Sequence, residues 1–151
     1  MALPTSIDLQ IVTPDRMIVH EQVDEVEIPG VDGYFGVLPG HTPMLAALSV
    51  GEMWYRKGQE KTYLAIAFGF AEVLPERVTI LAQLAERAEE IDVERAESAR
   101  TRAVQRLDQK SDIDYERARQ ALMKSTTRLQ VSSRIASGAG PRLKRVRREG
   151  S

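Results

Sequence analysis

The two histidines are the first residues of this sequence that could do chemistry. His20 and His41 are the only histidines among 151 residues, and cysteine is absent. Two imidazoles without thiolates are too few ligands for a familiar zinc site, and their spacing supports no serine–histidine–aspartate triad. The sequence therefore indicates neither a metal centre nor a catalytic site. We interpret His41, in Gly40-His41-Thr42-Pro43, as a residue that orders its turn by hydrogen bonding.

A second candidate is the segment PGVDGYFGVLPGHTPML, residues 29–45, which contains four glycines and three prolines. It is no phosphate-binding loop, because no Gly-Lys-Ser/Thr follows and the G-x-G-x-x-G spacing is absent. Glycines permit positive φ and close backbone approach, whereas prolines stiffen the chain. We predict a stiff loop with two interpretations open. It is either a sandwich corner with Phe35 and Leu38 turned inward, or a docking surface for another protein.

The elements that must position these residues change character near residue 87. Residues 1–86 hold five Lys/Arg against twelve Asp/Glu, a net charge of −7, and residues 87–151 hold sixteen against ten, a net charge of +6. All three phenylalanines and the single tryptophan lie in the first part. The shift predicts a domain over 1–86, a helical segment over 87–136 and a basic tail over 137–151.

The first part has the pattern of β-structure. Ile7, Leu9 and Ile11 alternate with polar residues, which is the period of a half-buried strand. Further apolar runs occupy 17–19, 23–28, 53–55, 62–66, 68–74 and 78–82, with turn signals at 51–52, 57–59 and 74–77. Many short strands at this spacing are typical of a sandwich or barrel. The simplest role for Trp54, Tyr63, Phe68 and Phe70 is to fill its core.

The second part has the pattern of two helices, over 85–107 and 113–135, that fold back on each other. Their apolar stripes are mostly small residues: Ala96, Ala99, Ala103 and Leu107 in the first helix, and Ile113, Ala118, Ala121, Leu122, Ser125, Leu129 and Ser132 in the second. Each alanine in place of leucine forgoes roughly 2 kcal/mol, at about 0.8 kcal/mol per CH₂. We therefore hypothesise a marginally held, mobile arm.

Three segments resemble the ε subunit of bacterial F-type ATP synthase. They are LQIVTPDRMIV, EVEIPGVDGYFGVLPGHTPMLAAL and GFAEVLPERVTILAQLAERAEEID, and the resemblance covers about residues 5–135. It implies an α+β fold, with a sandwich of about ten strands followed by an antiparallel helical hairpin. It also implies a non-catalytic rotor subunit that contacts the γ subunit and the c-ring, with no required cofactor and with membrane contact only through the complex. The location implied is peripheral, on the cytoplasmic side of the bacterial inner membrane.

The resemblance implies three sets of site residues. The rotor interface would comprise Gly33, Tyr34, Phe35, Gly36, Leu38, Pro39 and His41. The arm would restrain ATP hydrolysis by reaching an acidic loop of the catalytic β subunit through Arg117, Arg119, Lys124 and Arg128. IDVERA, residues 91–96, matches the pattern of ε subunits that bind ATP as a regulatory ligand, with Ile91, Asp92, Arg95, Ala96, Arg102 and Arg128 as the expected contacts. Lys124 stands where tight binders carry arginine, so binding is expected to be weak.

The charge pattern alone leaves other functions open. The helix over 113–135 carries a net charge of +3, which suits an acidic protein surface, nucleic acid or an anionic membrane. A nucleic-acid adaptor would use that helix and the tail, whose net charge is +4, but the aromatic residues are not interleaved with basic ones. A small enzyme on a sandwich would need a convergent polar site, and none is visible. We expect the tail, 137–151, to be disordered.

Overall fold

A computed structural model describes residues 3–109 and 115–136 of the chain. Its seven strands form one sheet in the order β2-β1-β7-β6-β5-β3-β4. Neighbouring strands are antiparallel except β1 and β7, which run parallel. The strands are β1 Ile7–Val12, β2 Met17–Val23, β3 Glu25–Gly30, β4 Gly33–Val37, β5 Met44–Lys57, β6 Glu60–Val73 and β7 Arg77–Arg87.

The sheet folds over on itself, and a bend in its longest strands allows this. Phe68 (φ 54°) and Gly69 (φ 138°) both have left-handed backbone in β6, and the pairing of β6 with β5 and with β7 skips Phe68. β2 consequently contacts β5 although three strands separate them in the sheet. The resulting β-sandwich confirms the predicted fold. The strand count of about ten was wrong, because β5, β6 and β7 each continue past the bend as one strand.

All seven strands contribute to one hydrophobic core. In β1 the predicted alternation is confirmed, since Ile7, Leu9 and Ile11 are fully buried and the residues between them are not. At the full transfer value, burying an aliphatic side chain of this size contributes about 1.5–3 kcal/mol. The core therefore makes the interior of the sandwich rigid. The strands are fixed by it, and so are the positions from which the outer side chains project.

Two predictions about the sandwich were wrong. Gly51-Glu52 is no turn but lies inside β5, where glycine is needed because a Cβ would lie 2.5 Å from the Tyr34 hydroxyl oxygen. The four aromatic residues predicted to fill the core do not: Phe70 is more than half exposed, and Trp54, Tyr63 and Phe68 are partly buried outside the core. The ring buried in the core is that of Tyr55. The turns at 57–59 and 74–77 are confirmed: Gly58 has a φ of 63°, and Leu74 and Arg77 exchange backbone hydrogen bonds.

The window 29–45 is not wholly a loop. Its first half closes the β3–β4 hairpin, with Gly30 paired to Gly33 and Ile28 paired to Phe35. Outside the strands lie the hairpin turn at 31–32 and the segment 38–43, where Gly40 has a φ of 86° and donates a backbone hydrogen bond to the Pro75 carbonyl. Most of the window is exposed at the edge of the sheet, as a docking surface would be.

Two helices follow a short 3₁₀ helix, Ala88–Glu90: α1 Val93–Asp108 and α2 Tyr115–Ala136. They pack along each other as the predicted hairpin, which we call the arm. The first helix starts later than predicted, because residues 85–87 complete β7. Asp92 caps α1 by accepting a hydrogen bond from the Arg95 amide. The predicted tail, 137–151, lies outside the described residues, and no helix among those described is long and apolar enough to cross a membrane.

Candidate functional site

An exposed line of apolar side chains crosses the outer face of the sandwich. Cross-strand pairing aligns Ala47, Phe70, Leu81, Val12 and Met17 on β5, β6, β7, β1 and β2, and we call these five residues the outer apolar row. Phe70, Leu81 and Met17 are each more than half exposed. Contiguous apolar surface of this kind on a small protein marks an interaction site.

The predicted rotor-interface residues lie on the β3–β4 hairpin and the turn after it, beside one end of the row. The Val31 amide in that hairpin donates a 3.0 Å hydrogen bond to the Ala47 carbonyl, which joins the two surfaces. Tyr34 and Leu38 are more than half exposed, whereas Phe35 is partly buried against the core. The His41 Nδ1 atom lies 2.7 Å from the Thr42 carbonyl oxygen, as expected of a residue that orders its turn.

Elsewhere on β5 and β6 the sheet surface is covered rather than exposed, because α2 packs on it. Arg134 of α2 makes a bidentate ion pair with Glu52 of β5, with Nε–Oε2 and Nη2–Oε1 distances of 3.0 and 2.7 Å. Glu52 is only 8% exposed, so this ion pair offsets the cost of burying its carboxylate. The hydrogen bond to Glu52 raises the pKa of the Arg134 guanidinium. The same guanidinium lies 5.0 Å from the centre of the Tyr63 ring.

A second ion pair and an apolar contact hold α2 in the same place. Arg128 donates from Nε and Nη2 to Oε1 of Glu86, at 3.0 and 2.5 Å. Val131, which lies between the two arginines along α2, is fully buried against Ala65, Ala88 and Ile91. The side of the arm that faces the sandwich thus combines a small apolar contact with two Arg–carboxylate pairs, of which the Arg134–Glu52 pair is bidentate and the Arg128–Glu86 pair uses a single carboxylate oxygen.

The residues predicted to bind nucleotide are not assembled into one site. The Asp92 carboxylate caps α1, Arg128 is paired with Glu86, and Ile91 is buried against Val131. Arg95 and Arg102 are exposed on α1, and Ala96 is buried. ATP binding at this segment stays a prediction, and in this arrangement Arg128 would have to exchange its pair with Glu86 for the ligand.

The residues predicted to contact the β subunit lie on different faces of α2. Arg117 and Arg119 are exposed, and Arg119 pairs locally with Glu116. Lys124 instead lies over the Phe68 ring, with its Nζ atom 5.5 Å from the ring centre. Arg128 is held by Glu86. The docked arm therefore presents two of the four predicted contacts to solvent.

A cleft of about 460 Å³ opens between β2, β5, β6, β7 and the 3₁₀ helix, lined by Glu21, Tyr55, Lys57, Glu60, Thr62, Arg87, Glu89 and Glu90. None of the predicted nucleotide contacts lines it. Burial raises the pKa of the Tyr55 hydroxyl, with smaller and partly opposing effects from neighbours including Thr62 and Glu21. Across 3–109 and 115–136, no three histidine, aspartate or glutamate residues come together as a metal site requires.

The sequence did not reveal the residues that hold the arm. Glu52 and Arg134 are 82 positions apart, and Glu86 and Arg128 are 42 apart. The one signal in the sequence was Glu52, a carboxylate in an otherwise strongly apolar segment. Its neighbour Gly51 led to the prediction of a turn there. The outer apolar row was missed for a related reason, since Phe70 was placed in the core.

Comparison with known proteins assigns both parts of the chain. Residues 6–88 match the family model described as "ATP synthase, Delta/Epsilon chain, beta-sandwich domain", and residues 89–133 match "ATP synthase, Delta/Epsilon chain, long alpha-helix domain". The ATP synthase epsilon chain of Koribacter versatilis is 54% identical over 102 residues, covering 68% of this chain and 72% of that one. That of Syntrophobacter fumaroxidans is 56% identical over 101 residues, covering 67% and 75%.

A solved structure agrees with this assignment. A chain of the Euglena gracilis mitochondrial ATP synthase, from a cryo-EM structure of OSCP, F1 and the c-ring, superposes with a TM-score of 0.66 at 26% identity. The match covers 91% of this chain and 84% of that one.

Proposed function

The chain belongs to the ATP synthase delta/epsilon chain family, and on that premise we propose that it docks on the rotor through its sandwich and regulates the enzyme through its arm. It is a non-catalytic subunit of ATP synthase, related to a chain of a solved complex that contains F1 and the c-ring. The coupling role, the γ and c-ring contacts, the β-subunit contact and the cytoplasmic membrane side belong to the proposal.

The outer apolar row carries the docking proposal. Its exposed residues come from strands whose other faces form the core, so the row is held rigidly and loses little entropy on binding. The β3–β4 hairpin continues this surface at the edge of the sheet. We propose the γ subunit as the occupant of the row, and the c-ring as the partner of the turn at 38–43.

Replacing Leu81 with aspartate is expected to weaken binding to the γ subunit by at least about a hundredfold. Burying leucine contributes about 1.5–3 kcal/mol, and a carboxylate in the same contact adds a desolvation cost. Leu81 is exposed in the free chain, so folding should be unaffected. Capture of the chain on immobilised γ measures this effect. Val104→Asp, which adds the same charge to an exposed site on α1, is the matched control. Equal affinity of the two variants would refute docking through the row.

The arm is proposed to restrain ATP hydrolysis when it leaves the sandwich. The exposed positions of Arg117 and Arg119 support this role, because both are accessible to an acidic surface even in the docked state. Undocking would add Arg128 and Lys124 to the basic surface that the arm presents. ATP as a regulatory ligand is a further proposal, which rests on the IDVERA pattern alone.

Neutralising Arg117, Arg119 and Arg128 to glutamine is expected to relieve inhibition of hydrolysis about threefold or more, since exposed ion pairs contribute about 0.2–1 kcal/mol each. Hydrolysis by the reconstituted complex with and without the chain measures this. Arg128→Gln also removes the pair with Glu86, so Arg117→Gln/Arg119→Gln is the cleaner variant. Arg100→Gln/Arg106→Gln, with the same charge loss on α1, is the control. Unchanged inhibition in Arg117→Gln/Arg119→Gln would contradict this role.

A further inference from the structure

The hydroxyl of Tyr34 reaches from the exposed β3–β4 hairpin to the strand that holds the arm. The register of β3 against β5 shifts between Glu27 and Gly30, which interrupts the ladder beside Glu52. The Tyr34 hydroxyl oxygen lies 3.3 Å from the Glu52 amide nitrogen and accepts its hydrogen bond. A side chain of the hairpin thus replaces a backbone acceptor at this position.

The residue before Glu52 makes this contact possible. A Cβ at Gly51 would lie 2.5 Å from the Tyr34 hydroxyl oxygen and 2.8 Å from the Pro29 Cβ. A Cβ atom does not approach non-bonded atoms so closely, so any other residue at Gly51 would displace Tyr34, Pro29 or both. The close approach of the hairpin to β5 therefore depends on glycine.

Glu52 itself holds the arm. Its amide donates to Tyr34, and its buried carboxylate accepts from the Arg134 guanidinium at 2.7 and 3.0 Å. Two contacts on one residue link an exposed tyrosine of the hairpin to α2. A bidentate ion pair tolerates little displacement of either partner. The position of the Glu52 backbone therefore determines the strength of its pair with Arg134.

We infer that Tyr34 couples the β3–β4 hairpin to the arm through Glu52, so that a contact which draws Tyr34 away from Glu52 favours release of Arg134. Because coupling is reciprocal, release of the arm also loosens the hairpin. Tyr34 is a positioning residue in this scheme. The inference rests on the proposed docking function only for what touches Tyr34, since the coupling itself lies within one chain.

Hydrogen exchange of the full chain in the absence of partners tests the coupling. Tyr34→Phe removes only the hydroxyl, and amide exchange in α2 is expected to rise about twofold to tenfold, the range of one hydrogen bond. Arg134→Gln is expected to raise exchange in α2 and also in β4. In the double variant Tyr34→Phe should add little to exchange in α2, because the pair it supports is already gone.

Three outcomes would overturn the inference: no change in α2 for Tyr34→Phe, fully multiplicative effects in the double variant, or an equal rise in β1, which would show general destabilisation. Tyr115→Phe removes the hydroxyl of a similarly exposed tyrosine and should leave exchange unchanged. Capture on immobilised γ is read separately. Loss of coupling with intact capture refutes only this inference, whereas intact coupling without capture refutes the docking function.

Discussion

Replacing Gly69 with alanine is expected to lower the free energy of unfolding by about 3–5 kcal/mol. A Cβ there would lie 1.9 Å from the Leu81 carbonyl oxygen and 2.9 Å from the Ala82 Cα, and both are backbone atoms of β7. The φ of 138° adds strain of about 1–3 kcal/mol for a residue with a side chain, and forced packing adds about 1–3 kcal/mol more. Domains are commonly stable by only about 5–15 kcal/mol, so much of the stability would be lost.

Chemical denaturation followed by circular dichroism measures this loss. Gly36→Ala is the matched control, because a Cβ at Gly36 meets nothing within 4 Å. The control should differ from the unsubstituted chain by less than about 1 kcal/mol. Similar midpoints for the two variants would show that the bend in β6 does not require glycine.

Removing the charge of Arg134 is expected to release the arm from the sandwich. Arg134→Gln leaves the Glu52 carboxylate, which is 8% exposed, without its guanidinium. Breaking a buried pair costs about 3–5 kcal/mol, and because the Arg134 side chain is 39% exposed we expect about 2–3 kcal/mol for docking. The undocked population should therefore rise about 30-fold to 160-fold.

Amide exchange in α2, relative to exchange in β1, measures release of the arm. Glu52→Gln/Arg134→Gln removes both charges and should restore part of the protection, since no unpaired charge then remains. Arg119→Gln, which breaks only the exposed pair with Glu116, is the control and should have almost no effect. Full protection in Arg134→Gln would show that Val131 and Arg128 suffice to dock α2.

Local patterns predicted the elements better than their connections. The alternation of Ile7, Leu9 and Ile11 and the small-residue stripe of α1 depend on a periodicity that neighbours in sequence reveal, and Ala96 and Ala103 are indeed buried. Gly51 was predicted to lie in a turn, because glycine signals a turn in most contexts, and the local pattern did not distinguish Gly69 as the site of a bend. Here they permit a close contact with Tyr34 and a bend in β6 that keep the long strands continuous.

The candidate sites also differ in whether neighbouring residues in the sequence reveal them. The exposed apolar hairpin could be anticipated, because glycine and proline density is visible along the chain. The pairs of Glu52 with Arg134 and of Glu86 with Arg128 could not, since charge along one sequence does not reveal which distant residue folds against it. The expectation of a weakly held arm considered only the stripes of small residues along its helices. The two ion pairs stabilise the docked position of α2 in addition.

The parallel pairing of β1 with β7 constrains how the polypeptide acquires its shape. The first strand finds this neighbour only after Arg77–Arg87 has been synthesised, and β7 is also the last strand of the sandwich. Contacts so distant in sequence close slowly, and at about 5–20 residues per second the ribosome holds β1 for several seconds before its neighbour emerges. Of its two neighbours in the described sheet, β2 is the one available during that interval. The two helices are translated after all seven strands, so they reach a sandwich whose strands have all left the ribosome's active centre.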